Sequence, residues 1–303
     1  MTGRRAIFRA DASPKIGGGH VMRCLALADG LAEAGWDCCF AVTGQTLETV
    51  PAITSAHRHV FLKGPARREV AELEALVGRV ELLVLDHYER DVDYEKACRQ
   101  VADVLLVLED LPHRWHEADA LLDQTLGRDA SEYRARVPDG CRLMLGPSYA
   151  LLRSMFANGR DASLSRRDGT LSRILVTMGY SDPRDLTTLA LQAIGAAQCD
   201  VEVDVVLGGV SPNISRVRKA IGTLDICVRL HLDTTEMARL MQEADLAIGA
   251  SGVTSWERCV LGVPTLAVIT AENQRTIATR LRPRGLFAWR EIGRRIYRSG
   301  SSR

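Results

Sequence analysis

The segment Phe8-Arg9-Ala10-Asp11-Ala12-Ser13-Pro14-Lys15-Ile16-Gly17-Gly18-Gly19-His20 carries the residues best suited to chemistry, because three consecutive glycines end at a histidine. It joins an apolar run, residues 6–8, to a helical pattern over residues 21–34. Glycine permits φ > 0 and close approach of a ligand to the backbone. A helix start offers unpaired N–H groups and positive potential to an anion. The expected product is a phosphate-facing catalytic corner in which His20, an imidazole that exchanges protons near neutral pH, takes a proton from water. The alternative is a tight turn with His20 at the surface.

Further groupings follow apolar runs in the same way. After residues 246–248 come Gly249-Ala250-Ser251-Gly252-Val253-Thr254-Ser255-Trp256-Glu257, a small-residue loop running into a helix. A pyrophosphate placed there meets backbone N–H groups and the hydroxyls of Ser251 and Thr254. Glu257 either holds a ribose or closes a capping box with Thr254. The run 265–269 ends in Thr270-Ala271-Glu272-Asn273-Gln274-Arg275, where Asn273 either meets a sugar or, like Thr270, caps a helix. Met178-Gly179-Tyr180-Ser181-Asp182-Pro183 offers Gly179 to a nucleotide, with Ser181 or Asp182 as helix cap and Pro183 at the first helical position. In Leu85-Asp86-His87-Tyr88, Asp86 either orients a ring or starts the next turn, and Tyr88 can donate its phenol to a substrate oxygen. Glu109-Asp110-Leu111-Pro112-His113-Arg114-Trp115-His116 raises the question of a metal; no third ligand has suitable spacing and Pro112 disrupts a helical face, so none is expected.

The elements that must position these groups alternate between strand and helix. Strand-type runs at 6–9, 37–43, 82–86 and 104–108 are interleaved with helical patterns at 21–34, near Thr46 and at 93–101. Leu82-Leu83-Val84-Leu85 is apolar on both faces, as a parallel strand covered on both sides must be. A stretch rich in Arg, Asp, Gly and Ser, residues 158–170, reads as a linker between domains at 1–157 and 171–303. Beyond it the alternation resumes, with strands at 173–178, 201–207, 226–230, 246–248 and 264–270 and helices at 186–196, 214–221, 237–243 and 254–261. The fold class is therefore α/β, two Rossmann-like open sheets. Ligands of such sheets lie outside the strand carboxyl ends, which predicts a cleft between the two domains.

A chain of 303 residues with 46% hydrophobic content can bury two cores of ordinary size. It has no apolar stretch of the ~18 residues that a spanning helix needs and no long apolar segment after Arg4-Arg5, so a cytoplasmic, membrane-free monomer is expected. The cysteines at 24, 38, 39, 98, 141, 199, 227 and 259 lack CxxC spacing and read as reduced thiols. Net charge is +1, yet residues 280–303 hold eight arginines against Glu291 alone, so the tail carries +7 and the remainder −6. No recognition helix or aromatic-interleaved sheet accompanies the tail, and no nucleic-acid partner is expected.

Taken together, the segments FRADASPKIGGGHVMRCLALA (8–28), VLDHY (84–88), LLDQ (121–124), LGPSYALLR (145–153), TMGYSDP (177–183), ASGVTSWERCVLGVP (250–264) and ENQR (272–275) resemble the UDP-sugar hydrolases of pseudaminic acid biosynthesis, the PseG family, over residues 5–281. The resemblance implies a two-Rossmann GT-B architecture. It implies metal-independent release of UDP from UDP-2,4-diacetamido-2,4,6-trideoxy-beta-L-altropyranose, with no cofactor and a UDP-sugar as sole partner. It makes His20 the base, puts Asp11 near the same pocket and Tyr88 and Asn273 at the sugar, and places Gly252, Thr254 and Glu257 around UDP; Gly19, Gly179 and Ser251 join them as substrate-binding candidates on the reading of the loops alone. The alternatives are a glycosyltransferase using a UDP-amino sugar and a non-catalytic UDP-sugar binder. Two features depart from the family pattern: Tyr180 stands where a second glycine is usual, and the tail 282–303 is unlike the expected closing elements.

Overall fold

The computed structural model describes residues 3–270, Gln274, Thr279 and the backbone of one strand near the carboxyl end. Two compact units divide it, Met1–Arg153 and Ser154–Arg303.

Unit 1 runs β1 (Arg5–Ala10), α1 (Gly19–Glu33), β2 (Asp37–Val42), α2 (Gly44–Thr49), α3 (Ala52–Ala56), β3 (Arg58–Phe61), α4 (Glu69–Val77), β4 (Val80–Asp86), α5 (Val92–Cys98), β5 (Ala102–Leu108), β6 (Ala120–Asp123) and β7 (Arg142–Leu145). Its seven strands are all parallel, in the order β3-β2-β1-β4-β5-β6-β7. Alternation along β1 sends Phe8 and Ala10 into a core with Val21, Cys24 and Leu25 of α1, where Phe8 stacks on Phe40 with centroids 4.9 Å apart. Ile7 points the other way, into a second core with Leu73 of α4 and Cys98 of α5. Both faces of the sheet are thus buried, which is why its strands read as unbroken apolar runs.

Unit 2 runs α6 (Ser154–Asn158), α7 (Arg160–Ser165), β8 (Arg173–Thr177), α8 (Leu186–Ala197), β9 (Glu202–Leu207), α9 (Ile214–Ile221), β10 (Val228–Leu232), α10 (Met237–Glu243), β11 (Leu246–Ala250), α11 (Thr254–Val260), β12 (Thr265–Val268) and β13 (Phe287–Arg290). Its parallel sheet has the order β10-β9-β8-β11-β12-β13. Ile174 and Val176 of β8 pack with α8 and α9, while Leu175 packs with α10.

The segment expected to be a linker, 158–170, contains α7, and Phe156 and Ser163 are fully buried. Its polar groups serve helix ends. Ser163 Oγ donates to the Leu261 carbonyl at 2.8 Å, Arg167 Nη2 to Ala244 O at 3.1 Å, and Arg160 to Val260 O. These are the last carbonyls of α10 and α11, which the helices themselves leave unbonded.

Five cysteines, Cys24, Cys38, Cys39, Cys98 and Cys141, are buried, Cys259 is half-buried, and Cys199 and Cys227 are exposed. None of the eight is bridged to another cysteine. Among the described residues no helix is long and apolar enough to cross a membrane.

Candidate active site

In both sheets strand order reverses beside the first strand, and a crevice at the strand carboxyl ends forms at such a point. In unit 1 the reversal falls between β1 and β4, whose last residues, Ala10 and Asp86, are in register. The segments that follow them are 11–18 and 87–91. The first is closed by Gly17 N–H donating to Ser13 O at 2.7 Å, and Gly17 has φ +82°, a conformation open to glycine. Gly19 then opens α1, with Gly18 as N-cap and no side-chain cap.

The first turn of α1 presents His20, Arg23 and Cys24, at i, i+3 and i+4, to one carboxylate. Asp86 lies on the same face of β4 as Val84, toward α1, and is 1% exposed. Arg23 grips it with two bonds, Nε to Oδ2 at 2.5 Å and Nη2 to Oδ1 at 2.6 Å. His20 Nδ1 lies 2.6 Å from Oδ1, and Cys24 Sγ 3.8 Å from Oδ2. Burial opposes the charge on Asp86, but Arg23 and His20 outweigh it and hold the carboxyl well below its usual range. An ionised Asp86 accepts only, so His20 Nδ1 carries the proton and Nε2 of the neutral ring is the basic atom.

Tyr88 lies edge-on to the His20 ring, centroids 4.7 Å apart at 88°. Its hydroxyl donates to Asp110 Oδ1 at 2.6 Å, and Asp110 Oδ2 lies 3.4 Å from Arg23 Nη1. Burial pushes the Asp110 carboxyl above its ordinary range despite Arg23 and Tyr88.

Asp11 reaches the same edge with its carboxylate already engaged. It receives Arg9 Nη2 at 2.9 Å, Thr46 Oγ1 at 3.1 Å and His87 Nε2 at 3.0 Å. Against the cost of burial, His87 and Arg9 hold it far below the usual carboxylate range. Behind it Arg9, buried on the α4 face of the sheet, pairs with Glu69, which also binds Arg90 and Tyr94.

The cluster 109–116 is a clamp. His116, 3% exposed, has Nδ1 2.8 Å from Glu95 and Nε2 3.3 Å from Glu109. Burial disfavours its charge, yet Glu109 and Glu95 push its pKa up to about 9. Glu109 also accepts Asp110 N–H, Leu111 N–H and Arg114.

In unit 2 the reversal falls between β8 and β11. Gly179 follows β8 with φ +100°, and Asp182 and Asp185 also have positive φ, 38° and 55°. Such strain costs ~1–3 kcal/mol per non-glycine residue and clusters at functional sites. The Asp182 carboxylate receives Leu186 N–H at 3.0 Å and Thr187 N–H at 2.9 Å, so α8 begins at Leu186 rather than at Pro183. Tyr180 turns to Asp233, to which its hydroxyl donates, and packs where a Cβ on Gly208 would lie only 2.5 Å from its ring.

After β11, Ser251 is fully buried and its hydroxyl has no partner among the described residues. Gly252 leads to Val253, the N-cap of α11, and Thr254 opens the helix with no side-chain cap. The capping box is therefore not formed, and Glu257 is 8% exposed within the first turn. Arg258, fully buried, donates to Ala250 O at 2.6 Å and fixes the loop from beneath; burial brings its pKa down to about 10. Gly249 makes room for this, since a Cβ there would lie 2.3 Å from the Arg258 guanidinium and 2.6 Å from Thr177 O. Thr270 N–H and hydroxyl both meet Gln274 Oε1 at 2.9 Å. Asn273 lies outside the described residues, as does most of the tail 282–303.

The architecture is that of the GT-B glycosyltransferases. The MurG structure of Acinetobacter baumannii covers 95% of this chain and 86% of its own at 14% identity, with a TM-score of 0.64. TcCGT1, solved in complex with UDP, covers 96% and 86% at 14% identity with the same score. In sequence, the chain is 27% identical over 284 residues to the UDP-2,4-diacetamido-2,4,6-trideoxy-beta-L-altropyranose hydrolase of Campylobacter jejuni, spanning 93% of this chain and 97% of that one. It is 27% identical over 274 residues to the spore coat polysaccharide biosynthesis protein SpsG of Bacillus subtilis, spanning 89% and 78%. No family model matches.

Proposed function

We propose that the chain hydrolyses UDP-2,4-diacetamido-2,4,6-trideoxy-beta-L-altropyranose to UDP and the free sugar, with inversion at C1. The single observation that carries the reading is the Asp86–His20 pair, held by Arg23 and directing the basic Nε2 away from its carboxylate partner. The likeness over nearly the full length of the Campylobacter hydrolase supplies the substrate. A water proton passes to His20 Nε2 as the water oxygen bonds to C1, and the electrons of the C1–O bond leave with the diphosphate. Asp86 then faces an imidazolium and stabilises it. In unit 2, backbone N–H groups after β11 and the buried Ser251 hydroxyl suit the departing charge, and Glu257 is assigned to the ribose through the family likeness. Gly19 at the start of α1 and Gly179 after β8 put no side chain over the backbone, each within its own unit. Asp11 positions the segment preceding α1 through Arg9, Thr46 and His87, and Asn273 is assigned to the sugar through the family likeness alone. We place this activity in pseudaminic acid biosynthesis, with no metal or cofactor.

The glycosyltransferase fold favours a second reading, transfer of the sugar to an acceptor. Incubation with the altrose derivative in oxygen-18 water, without acceptor, separates the two. Hydrolysis at C1 releases UDP and puts the label in the sugar; label in UDP, or UDP release only with an acceptor, overturns the proposal.

A further inference from the structure

Tyr88 was expected to donate to a substrate oxygen, but its one proton is directed to Asp110, 2.6 Å away. Arg23 ties that carboxylate to the other half of the site. Its Nη1 lies 3.4 Å from Asp110 while Nε and Nη2 hold Asp86, the partner of His20. One guanidinium therefore spans two carboxylates, each governing one of two rings that meet edge to face. We propose that Asp110 is a positioning residue: it sets the Tyr88 ring against His20 and commits the phenolic proton, so that Tyr88 meets the ligand as a hydrogen-bond acceptor. The inference rests on the reading of His20 as base. An attacking water gives one proton to Nε2 and needs an acceptor for the other, which the phenol oxygen supplies while its own proton stays with Asp110. A water, hydroxyl or amide N–H suits this position; a phosphoryl or carbonyl oxygen does not.

The test uses the full chain labelled at histidine, together with the UDP-release assay. Asp110→Ala should move the His20 ring resonances toward those of Tyr88→Leu, whereas Asp110→Asn, whose amide oxygen still accepts from the phenol, should leave them in place. Asp110→Ala should lower kcat about 10- to 100-fold through misplacement of the ring, with the Kd for UDP unchanged. Tyr88→Phe should lower kcat in the wild-type background and add no further loss on Asp110→Ala. Asp110→Asn should recover most of the rate. Unmoved His20 resonances in Asp110→Ala, or losses that multiply in the double variant, overturn the proposal. If Asp110→Ala does not fold, Tyr88→Phe and Asp110→Asn decide it: a fall in kcat for the first and near-wild-type kcat for the second support it, and the reverse pattern overturns it. A wild-type chain that releases no UDP sinks the hydrolase reading, and the resonances then judge the Asp110–Tyr88 arrangement alone.

Discussion

Asp86 does two jobs that mutation can separate. It neutralises a buried Arg23 and it fixes the tautomer of His20. Asp86→Leu leaves a guanidinium without its main partner and should cost about 3–5 kcal/mol in urea denaturation. The double variant Arg23→Met/Asp86→Leu should recover much of that stability, because an apolar pair of similar volume replaces a buried ion pair, while hydrolysis stays lost. His20→Asn should lower turnover by at least about 100-fold and leave UDP affinity intact; full activity in that variant removes His20 as base. His20, Asp86 and Tyr88 stood out in the sequence because a glycine-rich turn and a strand end announce them. Arg23 did not, and Asp110 stood out only within a segment weighed for a metal. Arg23 looks like one polar residue in an amphipathic helix, and Asp110 gains its role only from a partner 22 residues away in sequence.

At the scale of elements, two clamps invite measurement. His116 binds its proton more tightly folded than unfolded, since its pKa is near 9 against about 6.5 in an open chain. Its contribution is complete below about pH 6.5, shrinks as pH rises and is gone above about 9; it amounts to ~3 kcal/mol. Urea midpoints measured from pH 6 to 9 should fall more steeply for wild type than for His116→Gln. Gly249→Ala should destabilise unit 2 by ~1–3 kcal/mol, because Thr177 O is backbone and cannot yield. The strands β1, β4, β5, β8 and β9 were legible because burial on both faces leaves continuous apolar runs. β3 was not: its sequence RHVF runs exposed, half-buried, half-buried, exposed at the sheet edge, with no buried side chain to mark it. β6 and β7 are four residues each and too short for a pattern. Helix α7, inside the segment 158–170, was not legible for a physical reason: it is held largely by arginine and serine bonds to helix carbonyls, and apolar periodicity does not register such bonds.

Across the molecule, the two units have separate cores, and the proposed function divides proton transfer and diphosphate recognition between them. UDP at a hundredfold excess over its Kd should therefore raise the stability of unit 2 by about 2.7 kcal/mol, read as an upward shift of its calorimetric transition. No shift for any transition would remove the nucleotide from the reading. The thiol pattern has a practical corollary. Burial pushes Cys38 and Cys141 up to about 11 and Cys98 to about 12, and raises Cys24 well above the ordinary range, so maleimide dyes should ignore unit 1. Cys199 and Cys227 stand just before β9 and β10, at the amino ends of the parallel strands and so at the opposite end from the segment after β11. The native chain thus brings its own pair of fluorophore attachment points, already remote from the loop after β11 to which the diphosphate is assigned, and needs no engineered cysteine for optical work.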